Sequence, residues 1–211
     1  NIQVCWCHFL DQVLVSGGNF FFLFTQLKAQ VANNTQMDVT LDPDTAQLKL
    51  VLSPDGKQVR YGDTRQRLCD SAKRFSPTVS VLGKQGFSSG RFYYEVQIKG
   101  KTSWCFGVAR ESITRKGTVQ LSPAYGYWTI WLRNRTEYMA KDSPPVHLSL
   151  ESTGKRVGIF VDYDAGLVSF YDVDTWCPMR SYTNATFNER IYPFFCAKLN
   201  LNLHWTSLGC V

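Results

Sequence analysis

Gly86-Phe87-Ser88-Ser89-Gly90 has the G-x-S-x-G spacing of the serine-hydrolase nucleophile elbow. That chemistry needs a strand, a strained turn that lifts the serine, and a helix behind it, with an acid and a histidine later in the chain. Here the residues after Gly90 alternate as a strand, so Ser88 reads as part of a turn. The three histidines are His8, His147 and His204, and His204 alternates with leucines on the polar side of a strand-like stretch. Cys5, Cys7 and His8 form a compact group of metal-binding types, but zinc sites close with four ligands and usually a second spaced pair. No second pair is present. Asp162-Tyr163-Asp164-Ala165-Gly166 starts like a calcium loop, then lacks the third acidic position and the terminal glutamate. Neither the dinucleotide nor the P-loop glycine pattern occurs. The sequence therefore predicts a non-catalytic chain with no cofactor and no metal.

The elements around these residues are strands. From Val39 onward, short apolar runs alternate with period two and are separated by Gly, Pro, Asp and Ser, the signature of an all-β sandwich. In Phe92–Lys99 the apolar residues are 92, 94, 96 and 98 while 95, 97 and 99 are polar, which buries one face and wets the other. The same alternation is found at Trp104, Phe106 and Val108; at Trp128, Ile130 and Leu132; at Val157, Ile159, Val161 and Tyr163; and at Leu199, Leu201, Leu203 and Trp205. Asp164-Ala165-Gly166 predicts a hairpin between Val157–Tyr163 and Leu167–Tyr171, because glycine supplies the left-handed position of a tight return. Ser53-Pro54-Asp55-Gly56 predicts a turn between Leu48–Leu52 and Gln58–Tyr61. No repeat is visible, which argues against a propeller or solenoid.

The 211 residues, 44% hydrophobic and 19% charged, suffice for one sizeable soluble domain with an appendage and exclude a disordered chain. The apolar stretch Val13–Phe24 is interrupted at Ser16-Gly17-Gly18-Asn19 and falls short of the roughly 20 residues a bilayer span requires, so no membrane association is expected. The net charge of +6 is scattered singly between residues 38 and 150, which suits a solvated basic face better than nucleic-acid binding. Seven cysteines, odd in number and mostly far apart, suit reduced thiols in the cytoplasm. The glycosylation patterns at Asn33, Asn134 and Asn184 then read as chance matches. Residues 1–36 carry only Asp11 and Lys28 as charges and include Phe20-Phe21-Phe22-Leu23-Phe24; they read as an appendage of unassigned role in a fragment of a longer protein.

Three blocks carry a family resemblance. Val39-Thr40-Leu41-Asp42-Pro43-Asp44-Thr45-Ala46 resembles the opening PRY block with its Leu-Asp-Pro centre. Phe87-Ser88-Ser89-Gly90-Arg91-Phe92-Tyr93-Tyr94-Glu95-Val96 resembles the Trp-Glu-Val block, and Val157-Gly158-Ile159-Phe160-Val161-Asp162-Tyr163-Asp164-Ala165-Gly166 the Leu-Asp-Tyr-Glu block. Trp104, Gly107-Val108-Ala109, Arg115-Lys116-Gly117, Gly126-Tyr127-Trp128 and Tyr192-Pro193-Phe194-Phe195 match in between. In order and spacing, residues 38–207 resemble the PRY-SPRY domain of tripartite-motif (TRIM) ubiquitin ligases, butyrophilin tails and related fish proteins. The departures are Tyr94 for Trp, Val161 for Leu and Asp164 for Glu.

The resemblance implies a bent sandwich of two antiparallel sheets, with a PRY segment at 37–90 and a SPRY segment at 91–211 in one compact domain. It implies recognition: loops at one end of the sandwich hold a protein target, while a separate RING domain drives ubiquitin transfer, a role associated with innate immunity. Carried over by position, the contacts are the loop Tyr61–Arg74 with Arg65 and Arg67, then Cys105, the Trp131–Arg135 stretch with Trp131 and Arg133, and the stretch Lys198, Leu199 and Asn200. Strand parity agrees in part, since Trp128, Ile130 and Leu132 take the core face and leave Trp131 and Arg133 on the other. An outward Trp beside Arg is the composition of interface hot spots; the alternative is that Trp131 packs under a neighbouring loop. The arginines and Lys198 suggest an acidic target. Two other readings stay open: a butyrophilin-like sensor of a phosphorylated small ligand, held by the basic loop residues, and a lectin-like sandwich. The isolated domain is expected to be monomeric.

Overall fold

The computed structural model describes residues 37–98, 103–117, 119–133, 137–140, 146–148, 156–176, 178–197 and 208–210, with the backbone alone for 132–133, 137–140, 146–148 and 208–210. The expected strand Leu199–Trp205, His204, residues 1–36 and the carried-over contacts Lys198, Leu199, Asn200 and Arg135 lie outside the described residues. In chain order the strands are β1 (Leu50–Leu52), β2 (Gln58–Tyr61), β3 (Ser76–Pro77), β4 (Ser80–Leu82), β5 (Arg91–Gln97), β6 (Trp104–Arg110), β7 (Lys116–Gly117), β8 (Tyr127–Arg133), β9 (Glu137–Ala140), β10 (Val146–Leu148), β11 (Arg156–Asp162), β12 (Leu167–Asp172), β13 (Pro178–Tyr182), β14 (Ile191–Cys196) and β15 (Leu208–Cys210). Helix among the described residues is confined to the 3-10 turn Pro123–Tyr125.

Two antiparallel sheets form a sandwich. One has seven strands in the order β1-β2-β15-β5-β11-β12-β13, the other six in the order β10-β9-β8-β6-β14-β4. The short β3 and β7 pair in parallel beside them. The period-two faces meet between the sheets as expected. Phe92, Tyr94 and Val96 of β5, Val157, Ile159 and Val161 of β11, Trp104, Phe106 and Val108 of β6, and Trp128 and Ile130 of β8 share one buried cluster. Val39, Leu41, Ala46, Leu50, Val59, Val79 and Val81 join that same cluster, so the early segment and the later strands bury their apolar surface together.

Two tyrosine hydroxyls cross the core to backbone carbonyls of the opposite sheet. The Tyr94 hydroxyl donates to the Gly107 carbonyl at 2.7 Å and the Tyr182 hydroxyl to the Thr129 carbonyl at 2.8 Å, each tying one sheet to the other. Gly107 cannot be replaced at no cost. A Cβ there would stand 2.1 Å from the Trp128 carbonyl oxygen and 3.1 Å from the Phe170 ring.

Both expected turns form. β11 and β12 pair antiparallel, Asp162 opposite Leu167, and Gly166 has φ +64°. β1 pairs with β2, and within the Ser53–Gly56 turn Gly56 donates to the Ser53 carbonyl at 2.9 Å. The block from Asp162 to Gly166 acts as a fastener. Asp162 accepts from Arg91 Nε at 2.5 Å and from the Ala165 amide at 3.0 Å, Asp164 accepts from the Gly90 amide at 3.1 Å, and the Tyr163 hydroxyl lies 2.9 Å from the Glu189 carbonyl. The same contacts account for Gly86–Gly90: Ser88 is exposed in a turn that leads directly into β5.

Candidate partner-binding site

The described site positions fall on the six-stranded sheet and on the loop between β2 and β3. Trp131 of β8 is opposite Cys105 of β6, Cys105 opposite Cys196 of β14, and Cys196 opposite Ser80 of β4. Directly opposed residues of antiparallel strands project to the same side, so these form one lateral row on the face turned away from the main core.

That face is not open to water. Trp131 is 8% exposed and Cys105 3%, and both belong to a second buried cluster with Phe75, Leu82, Ala109, Ile113, Tyr127, Phe194 and Cys196. Half-buried Val119, Leu121 and Tyr192 pack against it. Phe194 is at the centre, edge-on to Tyr127 at 5.1 Å and to Phe75 at 6.0 Å. The parity that turned Trp131 away from the main core therefore holds, while the expectation of an outward, exposed indole does not. Phe75 and Ile113, from segments outside the sheet, make the outer face a second apolar layer. Arg133 ends β8 opposite Glu137 of β9.

The loop after β2 is what reaches solvent. Arg65, Arg67, Leu68, Cys69 and Asp70 are exposed, Leu68 to 50%. Its backbone is nevertheless pinned. The Gln66 amide donates to the Leu48 carbonyl at 2.8 Å and its side chain to the Leu50 carbonyl. Arg74, which closes the loop, is only 6% exposed: its Nη1 donates to the carbonyls of Pro43 at 2.8 Å and Ala46 at 2.5 Å, and its Nε to that of Cys69 at 3.3 Å. Arg74 is thus a structural clasp and not part of a basic rim. On the outer side, Lys116 Nζ lies 2.6 Å from Asp70, and the hydrogen bond from that ammonium holds the Asp70 carboxyl below the usual range.

Among the described residues, two exposed large apolar side chains were not singled out from the sequence: Leu68, and Tyr125 at 57%. The available signal for Leu68 was its isolation in the polar run Arg65-Gln66-Arg67-Leu68-Cys69-Asp70, where no alternation gives it a buried face. Two exposed arginines just ahead of an exposed leucine on a pinned loop suit a partner with acidic groups near an apolar spot.

Comparison with known proteins adds the following. Residues 91–206 match the family model described as SPRY domain, and residues 39–87 the one described as SPRY-associated domain. The chain is 44% identical over 174 residues to "Nuclear factor 7, brain" of Xenopus laevis, covering 82% of this chain and 28% of that protein. It is 44% identical over 163 residues to "E3 ubiquitin-protein ligase TRIM21" of Mus musculus, covering 77% of this chain and 34% of that protein. The chain thus spans about a third of the length of these curated relatives. A solved structure, "Crystal structure of TRIM65 PSpry domain", has the same fold at 21% identity, with a TM-score of 0.73 over 88% of this chain and 94% of that one.

Proposed function

This chain belongs to the SPRY domain family, with the PRY segment in front of it and relatives of TRIM type; from that we propose that it is the target-recognition part of a TRIM-like E3 ubiquitin ligase. SPRY domains are protein-interaction modules and not catalysts, so ubiquitin transfer would belong to a separate part of the whole protein. The reading rests most on one observation: Leu68, half exposed, stands beside Arg67 and Arg65 on a loop whose backbone is pinned by Arg74 and Gln66. A pre-fixed loop loses little conformational freedom on binding. We further propose an acidic protein target, a monomeric domain and a cytoplasmic setting. No helix among the described residues is long and apolar enough to cross a membrane.

Trp131, Cys105, Arg133, Lys198, Leu199 and Asn200 remain proposed contacts, with Trp131 and Cys105 limited to their small exposed edges. The test therefore starts at the loop. The chain and its Arg65→Glu/Arg67→Glu/Leu68→Asp variant are compared as baits, and each captured protein is then purified and its affinity measured directly. A partner weakened at least tenfold by the variant, at equal melting temperature, supports the reading, and its association rate should fall as salt rises. Equal affinity for both baits would remove the loop from the site.

A further inference from the structure

The lateral row of the six-stranded sheet contains two thiols that face each other. Cys105 of β6 and Cys196 of β14 are directly opposed Cα partners in antiparallel register. Opposed residues in such a pair are about 4.5 or 5.5 Å apart at Cα, depending on the kind of pair, and both values fall within the roughly 4.4–6.8 Å that a disulfide spans. The two side chains also share a side. Cys105 and Cys196 lie in the outer cluster, whereas their chain neighbours Trp104, Phe106, Phe195 and Ala197 turn into the main core. Tyr127 lies against both: burial chiefly raises its hydroxyl, and the Cys196 and Cys105 sulfurs add to the effect. Among the described residues Cys69 has no such arrangement; it is exposed on the loop.

We infer that Cys105 and Cys196 are a dithiol–disulfide couple across the centre of the six-stranded sheet, oxidised by low-molecular-weight disulfides of the glutathione class. The Cys196 thiolate, having given up its proton, attacks one sulfur of the oxidised tripeptide; a mixed disulfide forms and one tripeptide thiolate leaves. The Cys105 thiolate then attacks the Cys196 sulfur, forming the intramolecular bond and expelling the second tripeptide thiolate. Both leaving thiolates take up the two protons released. The protein has lost two electrons and the small disulfide has gained them. Cys196 is the point of attack because it ends β14 and is 8% exposed against 3% for Cys105. Limited access makes the reaction slower than glutathionylation of exposed Cys69, which serves as an internal control on the same molecule.

The experiment uses the full chain under native conditions with oxidised glutathione, followed by alkylation, digestion without reductant and mass spectrometry. The expected result is a peptide pair linked through Cys105 and Cys196, appearing after Cys69 has been modified, removed by reductant and absent from Cys196→Ala. Cys69 modified while Cys105 and Cys196 stay alkylated as thiols would overturn the inference. So would a lasting mixed disulfide on Cys196, linkage of either residue to another cysteine, or a Cys105–Cys196 link that forms only in urea. Mapping on the unmodified chain keeps the test decisive even if the alanine variant folds poorly.

Discussion

Truncating Trp131 separates a buried indole from an exposed hot spot. The side chain is 8% exposed and packed in a cluster with Phe75, Cys105, Tyr127 and Phe194. A buried aromatic removes roughly 150–250 Å² from water, which at about 25 cal/mol per Å² gives about 4–6 kcal/mol for the whole side chain. The methyl group retained in alanine brings the expected loss to about 3–5 kcal/mol, the range of such truncations in packed cores. Against a total stability of about 5–15 kcal/mol, that is a large share. With a urea slope of about 2 kcal/mol per M, Trp131→Ala should lower the unfolding midpoint by roughly 1.5–2.5 M at unchanged slope. Trp131→Phe, which keeps a ring in the cluster, should lose less. Equilibrium urea unfolding followed by circular dichroism measures both. A Trp131→Ala midpoint corresponding to less than about 1 kcal/mol of loss would refute the burial argument and return the indole to the surface. If the loss is as large as expected, failure of Trp131→Ala to bind a partner reports on folding first.

Arg74 should behave as a clasp. Its guanidinium holds three carbonyls, and hydrogen bonds from a charged donor contribute about 1.5–3 kcal/mol each with incomplete additivity, so Arg74→Ala should cost about 2–4 kcal/mol and speed tryptic cleavage after Arg65 and Arg67; wild-type digestion kinetics in the variant would count against the clasp. Arg74→Lys, with a single point of charge, should fall between the two. Tyr93, Tyr127 and Tyr171 all have hydroxyls raised well above the ordinary value, in each case first by burial. The folded chain therefore keeps three protons that the unfolded chain releases above about pH 10, so their contribution is complete below that pH and declines above it, by up to about 4 kcal/mol per pH unit. Melting midpoints from pH 8 to 11 should be level and then drop, and a midpoint that stays level to pH 11 would refute this. The Asp70 carboxyl is lowered by Lys116, so the loop fastening is intact above the ordinary carboxylate range and is lost as pH falls through the folded value. Cleavage of the loop at Leu68 by pepsin, which works in acid, should accelerate more steeply on acidification for the chain with Lys116 than for Lys116→Met.

What the sequence could reveal was local. The alternation in Phe92–Lys99 placed Phe92, Tyr94 and Val96 inward because a strand's side-chain period is a property of the strand alone, and the structure agrees. The return at Asp164-Ala165-Gly166 was legible for the same reason. The neighbours of β5 were not: it lies between β11 and β15, which follow it by dozens of residues, and nothing in Arg91–Gln97 specifies either partner. Periodicity already pointed to an all-β sandwich, and the family resemblance added that it is a bent pair of antiparallel sheets. Parity also could not say what covers the outer face of β8, because Phe75 and Ile113 sit in irregular segments with no period to mark them. Arg74 entered the sequence reading only as the end of the loop Tyr61–Arg74; its three carbonyl contacts are what make it a clasp.

Burial of β4, β6, β14 and the described part of β8 on both faces has a consequence for recognition. A side chain in the row Ser80, Cys196, Cys105, Trp131 cannot be exchanged freely, since each packs against strand neighbours and against the outer layer. Variation there disturbs the fold before it changes what is bound. The loop is constrained differently. Gln66, Arg74 and the Asp70–Lys116 pair fasten it through its backbone and edges, leaving the side chains of Arg65, Arg67 and Leu68 in water. Surface side chains away from caps and clasps change stability by no more than about 0.5 kcal/mol when substituted. Specificity can therefore be rewritten at 65, 67 and 68 with little effect on stability, whereas substitution in the buried row acts on the fold. If that division holds, Arg65→Glu and Leu68→Asp should leave the urea midpoint in place while changing affinity.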